Sequence, residues 1–201
     1  MAVISKSVAL AVIFINLFQL HDGQDVLELI NERDFIHAVQ LKRTGADLSA
    51  ATAFNLRAGF DSGTIRIRHL AALYPFDNTL RAVRISGVQL KEYLEHSARY
   101  FKTDAVGRIS LNDSVPGYNY DVILGARYDI DLRRRAGDRI RNLSVAGRAV
   151  TRSDSFTLAL NSHRHTGAGG YAMVRGAPGA QRQKKTDRDL LRLEEELSGN
   201  L

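Results

Sequence analysis

The chain has 201 residues, 44% of them hydrophobic, which is enough for one sizeable core and near the length at which a single domain is expected. It contains no cysteine, which excludes disulfides and thiolate metal sites. Its formal charge of +6 leans towards phosphate-bearing partners, because guanidinium matches phosphate geometry, yet charges of both signs alternate through the middle and no basic tail for a specific nucleic acid is present.

Residues 1–23 form an apolar N-terminal segment. Lys6 precedes an uncharged run from Val8 to Phe18, the length of a signal-peptide core and short for a bilayer span. No small-x-small cleavage site follows, so a buried helix or a start inside a longer reading frame fits the same residues. A signal would make the protein periplasmic or secreted; without one it is cytoplasmic.

Residues 24–41, QDVLELINERDFIHAVQL, place Val26, Leu29, Ile30, Phe35, Ala38 and Val39 on one helical stripe, and Gly45 ends it. Short apolar segments follow: ADLSAATAF, TIRIR, LRAVRIS, YDVI, RYDIDL, RIRNLSVAG and SFTLALN. Their alternation and β-branched content predict strands. Between LRAVRIS and YDVI, GVQLKEYLEHSARYF carries Val88, Leu90, Leu94, Ala98 and Phe101 at helical spacing. The order predicts an α+β domain over 24–176, a mixed sheet flanked by helices. From Arg175 the β character is lost, so 177–201 reads as a linker and a peripheral tail in which DRDLLRLEEEL forms a short amphipathic helix.

The stretch NSHRHTGAGGY, 161–171, invites two chemical readings. If the preceding strand continues, His163 and His165 face the same way and could share a metal ion. A catalytic zinc site needs a third protein ligand and a dinuclear site needs several carboxylates, an Asn and more histidines; the sequence offers no such set. The glycines do not make a phosphate loop either, since no Lys-Ser/Thr follows them. A glycine run also lets backbone pass close to a flat ligand.

Taken in order, FNLRAG (54–59), LYPFDNTL (73–80), PGYNYDVI (116–123) and LALNSHRHTGAGGY (158–171) resemble the C-terminal domain of the 5'-nucleotidase family. YNYDVI, RYDIDL and GDRI look most like the bacterial 2',3'-cyclic-nucleotide 2'-phosphodiesterase/3'-nucleotidase branch. The resemblance covers about residues 25–176. It implies a nucleotide-recognition domain that holds a purine nucleotide or nucleoside with the base between two flat rings. The first ring falls on Phe76, which on its own residues could equally be core. Asn78 matches a base-contacting asparagine, whose amide offers a donor and an acceptor, and turn capping is its plainer reading. Arg57 matches an arginine that contacts the nucleotide. The second ring falls on His163, where the family usually carries Phe or Tyr. Gly167, Gly169 and Gly170 match the family's glycine-rich turn, although some members carry an acid where Gly169 stands. Gly117 and Tyr118 match the loop that faces the ligand, and Tyr118 could also be packing.

The resemblance places hydrolysis in a separate metallophosphatase domain whose metal motifs these residues lack. The expectation is therefore no cofactor bound by this chain, a divalent metal pair held by that other domain, which could sit on a separate chain, and a truncated member of a nucleotide-catabolising hydrolase. The competing expectation is a non-enzymatic basic module that binds protein or polyanion.

Overall fold

A computed structural model of the chain describes residues 32–52, 74 and 76–186. Helix α1 spans Glu32–Thr44 and strand β1 Leu48–Ala51; β2 spans Thr79–Ser86 and α2 Gly87–Ser97. The rest are β3 (Phe101–Thr103), β4 (Ile109–Leu111), β5 (Val122–Leu124), β6 (Ala126–Ile130), β7 (Ile140–Val145), β8 (Arg148–Ala149), β9 (Ser155–Asn161), the helical turn α3 (Ser162–His165) and β10 (Gly179–Thr186).

Among the described residues the main sheet has five strands in the order β10-β2-β9-β1-β5, with β1 and β9 parallel and the other neighbours antiparallel. This is the mixed sheet of an α+β domain. A two-stranded hairpin, β3-β4, and a three-stranded antiparallel sheet, β6-β7-β8, complete it.

Alternation along the strands serves two faces. Leu48 and Ala50 of β1, Val83 and Ile85 of β2, and Leu158 and Leu160 of β9 join Leu90, Tyr93 and Leu94 of α2 in one buried cluster. The intervening Ser49 of β1 meets α1: its hydroxyl donates to Gln40 Oε1 at 2.8 Å and accepts from His37 Nδ1 at 2.9 Å. Helix α2 opens on a capping box in which Ser86 Oγ accepts from the Gln89 backbone N–H while Gln89 Oε1 accepts from the Ser86 backbone N–H.

Several expectations need correction. The predicted helix GVQLKEYLEHSARYF stops earlier: Ala98–Tyr100 tightens to a 3₁₀ turn and Phe101 opens β3. The buried Arg139 guanidinium braces this turn, its Nη1 donating to the carbonyls of Ala98 and Phe101 at 2.9 and 2.6 Å. The polar stretch read as linker is not one either. Gly179–Thr186 pairs antiparallel with β2 as the sheet's edge strand, with register shifts along its length. TIRIR, residues 24–31 of the first predicted helix and the tail helix beyond 186 lie outside the described residues.

Candidate functional site

One end of the main sheet gathers the candidate residues. The register Leu80↔Asn161 sets the start of β2 beside the end of β9, and Ala51↔Val122 sets the end of β1 beside the start of β5. Because β1 and β9 run parallel, all four termini share that end. The segments leaving it carry Phe76 and Asn78, Gly117 and Tyr118, and His163 to Gly170. Arg57 lies outside the described residues.

Polar contacts fix the approach of the first and last of these segments. The Thr79 backbone N–H donates to Ser162 Oγ at 3.0 Å, across the mouth of the β2/β9 pair. Beneath it the Tyr74 hydroxyl, on a fully buried ring, accepts from Asn78 Nδ2 at 3.2 Å and from Asn161 Nδ2 at 3.0 Å. Phe76 stands edge-on to Tyr74, with centroids 6.5 Å apart, and is 48% exposed. Tyr118 is 55% exposed and His163 is exposed as well. Three flat side chains thus open to solvent at one end of the sheet, beside a half-buried Asn78 whose amide meets Tyr74 and Ser162.

The metal reading of the two histidines loses its premise. Strand β9 ends at Asn161, whose side chain caps α3 by accepting from the Arg164 backbone N–H at 2.8 Å. On a helical turn, side chains two residues apart point in widely different directions. His163 faces out, whereas His165 Nε2 lies 3.3 Å from the Ala177 carbonyl oxygen. Among the described residues no group of three or more His, Cys, Asp or Glu side chains could hold a metal ion.

The glycines are required by the chain's own packing. Gly169 has φ +69°, and a Cβ there would lie 2.5 Å from Asn119 Oδ1 and 2.6 Å from Arg164 Nη1. Gly170, at φ +86°, backs onto His96, whose Cε1 would be 2.5 Å from a Cβ. Gly167 is crowded by the Arg175 guanidinium, while Gly117 has open space around it, its nearest neighbour being Tyr100 Oη at 3.6 Å.

Behind the exposed rings lies a buried polar group that the sequence reading passed over. Arg164 is 4% exposed, and Asp121 is 2% exposed on its side chain. Arg164 Nε donates to Asp121 Oδ2 at 2.8 Å and Nη2 donates to Asp121 Oδ1 at 2.9 Å, a bidentate pair. Tyr93 Oη donates to Asp121 Oδ2 at 2.5 Å, and Ser97 Oγ donates to the Asp121 carbonyl. Tyr171 Oη donates to the Asn119 carbonyl at 2.7 Å, and its ring lies 4.5 Å under the Arg164 guanidinium. Burial pushes the Tyr93 and Tyr171 hydroxyls up in pKa, with the Asp121 charge adding to it. Burial alone would pull Arg164 down; its hydrogen bonds with Asp121 and that carboxylate's charge overcome this and raise it. His96, half-buried, is held below its ordinary value chiefly by burial, although its Nε2 bonds the Gly169 carbonyl at 2.8 Å. A signal for Arg164 was present: an Asn cap at 161 starts a helical turn, and the third residue of that turn faces inward.

Comparison with known proteins identifies the fold and its lineage. The model of the 5'-nucleotidase C-terminal domain matches residues 27–176. Among curated relatives, the 2',3'-cyclic-nucleotide 2'-phosphodiesterase/3'-nucleotidase of Haemophilus influenzae is 31% identical over 168 residues, 71% of this chain and 26% of the relative. The trifunctional nucleotide phosphoesterase YfkN of Bacillus subtilis is 32% identical over 133 residues, 58% of this chain and 9% of the relative. The chain thus spans about a quarter of the first of these proteins and less than a tenth of the second. Among solved structures, a 5'-nucleotidase assigned in Staphylococcus aureus superposes with a TM-score of 0.75 at 28% identity, over 83% of this chain and 33% of that one. The 5'-nucleotidase precursor of Thermus thermophilus shares the fold, with a TM-score of 0.67 at 20% identity, over 84% of this chain and 34% of that one. With most of its length matched by one domain model and its mixed sheet shared with these structures, the chain belongs to the 5'-nucleotidase family, as a C-terminal domain.

Proposed function

We propose that this chain is the substrate-binding domain of a nucleotidase or cyclic-nucleotide phosphodiesterase type of hydrolase, and that it binds a purine nucleotide or nucleoside without hydrolysing it. In this reading the base lies against the exposed ring of Phe76 and the imidazole of His163, with Tyr118 beside them. Asn78 addresses the base edge with its amide, and Arg57 meets the nucleotide's oxygens. The observation that carries the reading is the Thr79–Ser162 hydrogen bond. It holds the turn bearing Phe76 and Asn78 beside the turn bearing His163, although 83 residues separate its partners. Hydrolysis belongs to a metallophosphatase domain outside these residues, with its own divalent metal pair. The apolar run from Val8 to Phe18 supports export, to the periplasm or beyond.

The competing reading, a basic module for polyanions, has less support in the charge arrangement. Arg133 pairs with Asp131, and Arg134 and Arg141 share Asp138, so these three guanidiniums are already engaged within the turn.

Titration calorimetry with adenosine, AMP and cyclic AMP tests the proposal. Binding is expected, with no metal-dependent turnover by this chain. Phe76→Ala should weaken it by about 5- to 150-fold, the equivalent of ~1–3 kcal/mol for one stacked base. Absence of heat with all three ligands would sink the reading. Binding that fades steeply with salt would favour the polyanion module instead.

A further inference from the structure

Arg164 sits between the two histidines and reaches back into the loop that carries Tyr118. Besides its bidentate pair with Asp121, its Nη2 donates to the Tyr118 carbonyl at 2.6 Å and its Nη1 to Asn119 Oδ1 at 3.2 Å. Its own backbone N–H is fixed by Asn161 Oδ1. One side chain from the turn of His163 therefore grips the loop 118–121 at Tyr118, Asn119 and Asp121. A buried ion pair contributes little net stability, and a well-packed apolar residue commonly serves the fold as well. What a planar guanidinium adds is direction: it fixes the loop carbonyl and the carboxylate in one plane. Tyr118 and His163 flank this plane in sequence, and both are exposed.

We propose that Arg164 is the positioning residue of the recognition surface, setting the placement of the Tyr118 and His163 faces relative to each other from beneath, without meeting the ligand. The inference rests on the nucleotide-binding reading for its purpose, and on the hydrogen bonds alone for its mechanics. Mechanically, the loop 116–121 and the turn 162–167 behave as one body, and loosening either loosens both.

The test has one arm without ligand and one with it. Hydrogen exchange on the ligand-free full chain is compared between wild type, Arg164→Lys and Gly169→Ala. Lysine keeps the charge beside Asp121 but lacks the fork that reaches Tyr118 and Asn119. Alanine at 169 pushes on Asn119 and Arg164 from the opposite side, and it carries the measurement if the lysine variant does not fold. Amides of 116–121 and 162–167 are expected to exchange roughly tenfold faster in both variants, with β6 and β7 unchanged. In the second arm Arg164→Lys should weaken AMP binding by roughly tenfold, and by much less when Tyr118→Ala is already present. Unchanged exchange of the Tyr118 loop in both variants would overturn the proposal, as would an AMP loss of equal size with and without the Tyr118 ring. A wild type that binds no AMP removes the nucleotide reading, while the exchange arm still decides whether Arg164 couples the two segments.

Discussion

Tyr74 shows how much a single buried atom can set at this site. Its hydroxyl accepts from both Asn78 and Asn161, so Tyr74→Phe leaves two amide groups without that acceptor while preserving the ring. A stability loss of about 1 kcal/mol is expected, seen as a lower denaturant midpoint at unchanged slope. On the proposed function, affinity for a base should fall as well, because Asn78 loses one of the contacts that orient it. His96 makes a prediction about acid. Burial holds its imidazole below the ordinary value of 6.5, so the unfolded chain takes up a proton that the folded chain resists. The contribution is intact at neutral pH and lost as pH falls below the unfolded value. Arg99 and Arg164 oppose its protonation and Asp121 favours it. The melting temperature of the wild type should therefore drop more between about pH 7 and about pH 5 than that of His96→Gln, and equal drops would contradict the assignment. The bend at Phe76 was legible because turn chemistry is a local property. For Arg164 the Asn161 cap hinted at an inward side chain, but its partner was not legible, since Asp121 lies 43 residues earlier and a lone arginine between histidines looks like surface.

At the scale of elements, the end of α2 illustrates what hydrophobic periodicity misses. Glu95, buried on α2, accepts from the backbone N–H of Arg139 at 2.9 Å and of Ile140 at 2.7 Å, so a helix side chain anchors the start of β7. Glu95→Ala would strand two buried donors and should lower stability by about 2–4 kcal/mol, read by thermal or chemical melts. Glu95→Gln, which keeps one acceptor, should lose less. Strands β2 and β9 were readable because buried alternating residues announce them. Strand β10 was not: GAQRQKKT has little strand preference of its own, and its conformation comes from hydrogen bonding to β2. The short β3-β4 hairpin escaped for another reason: β4 is only Ile109–Leu111, all three exposed, too short for its alternation to stand out.

For the whole molecule, the mixed sheet has a kinetic consequence. Leu48 of β1 pairs with Leu158 of β9, and Leu80 of β2 with Asn161, so the strands that frame the recognition end close very long loops. Local pieces such as the β6-β7 hairpin and α2 need no such closure and can form early, whereas contacts this distant in sequence are slow to assemble. This end of the sheet should thus be the last to form, and, on the proposed function, a refolding chain should recover its secondary structure before it recovers nucleotide binding. Stopped-flow refolding followed in parallel by far-ultraviolet dichroism and by a fluorescent nucleotide would separate the two phases; coincident phases would show that the distant pairings form with the local ones. Ligand added during refolding would then favour chains whose β1 and β9 have already met, making the nucleotide a reporter of completed topology.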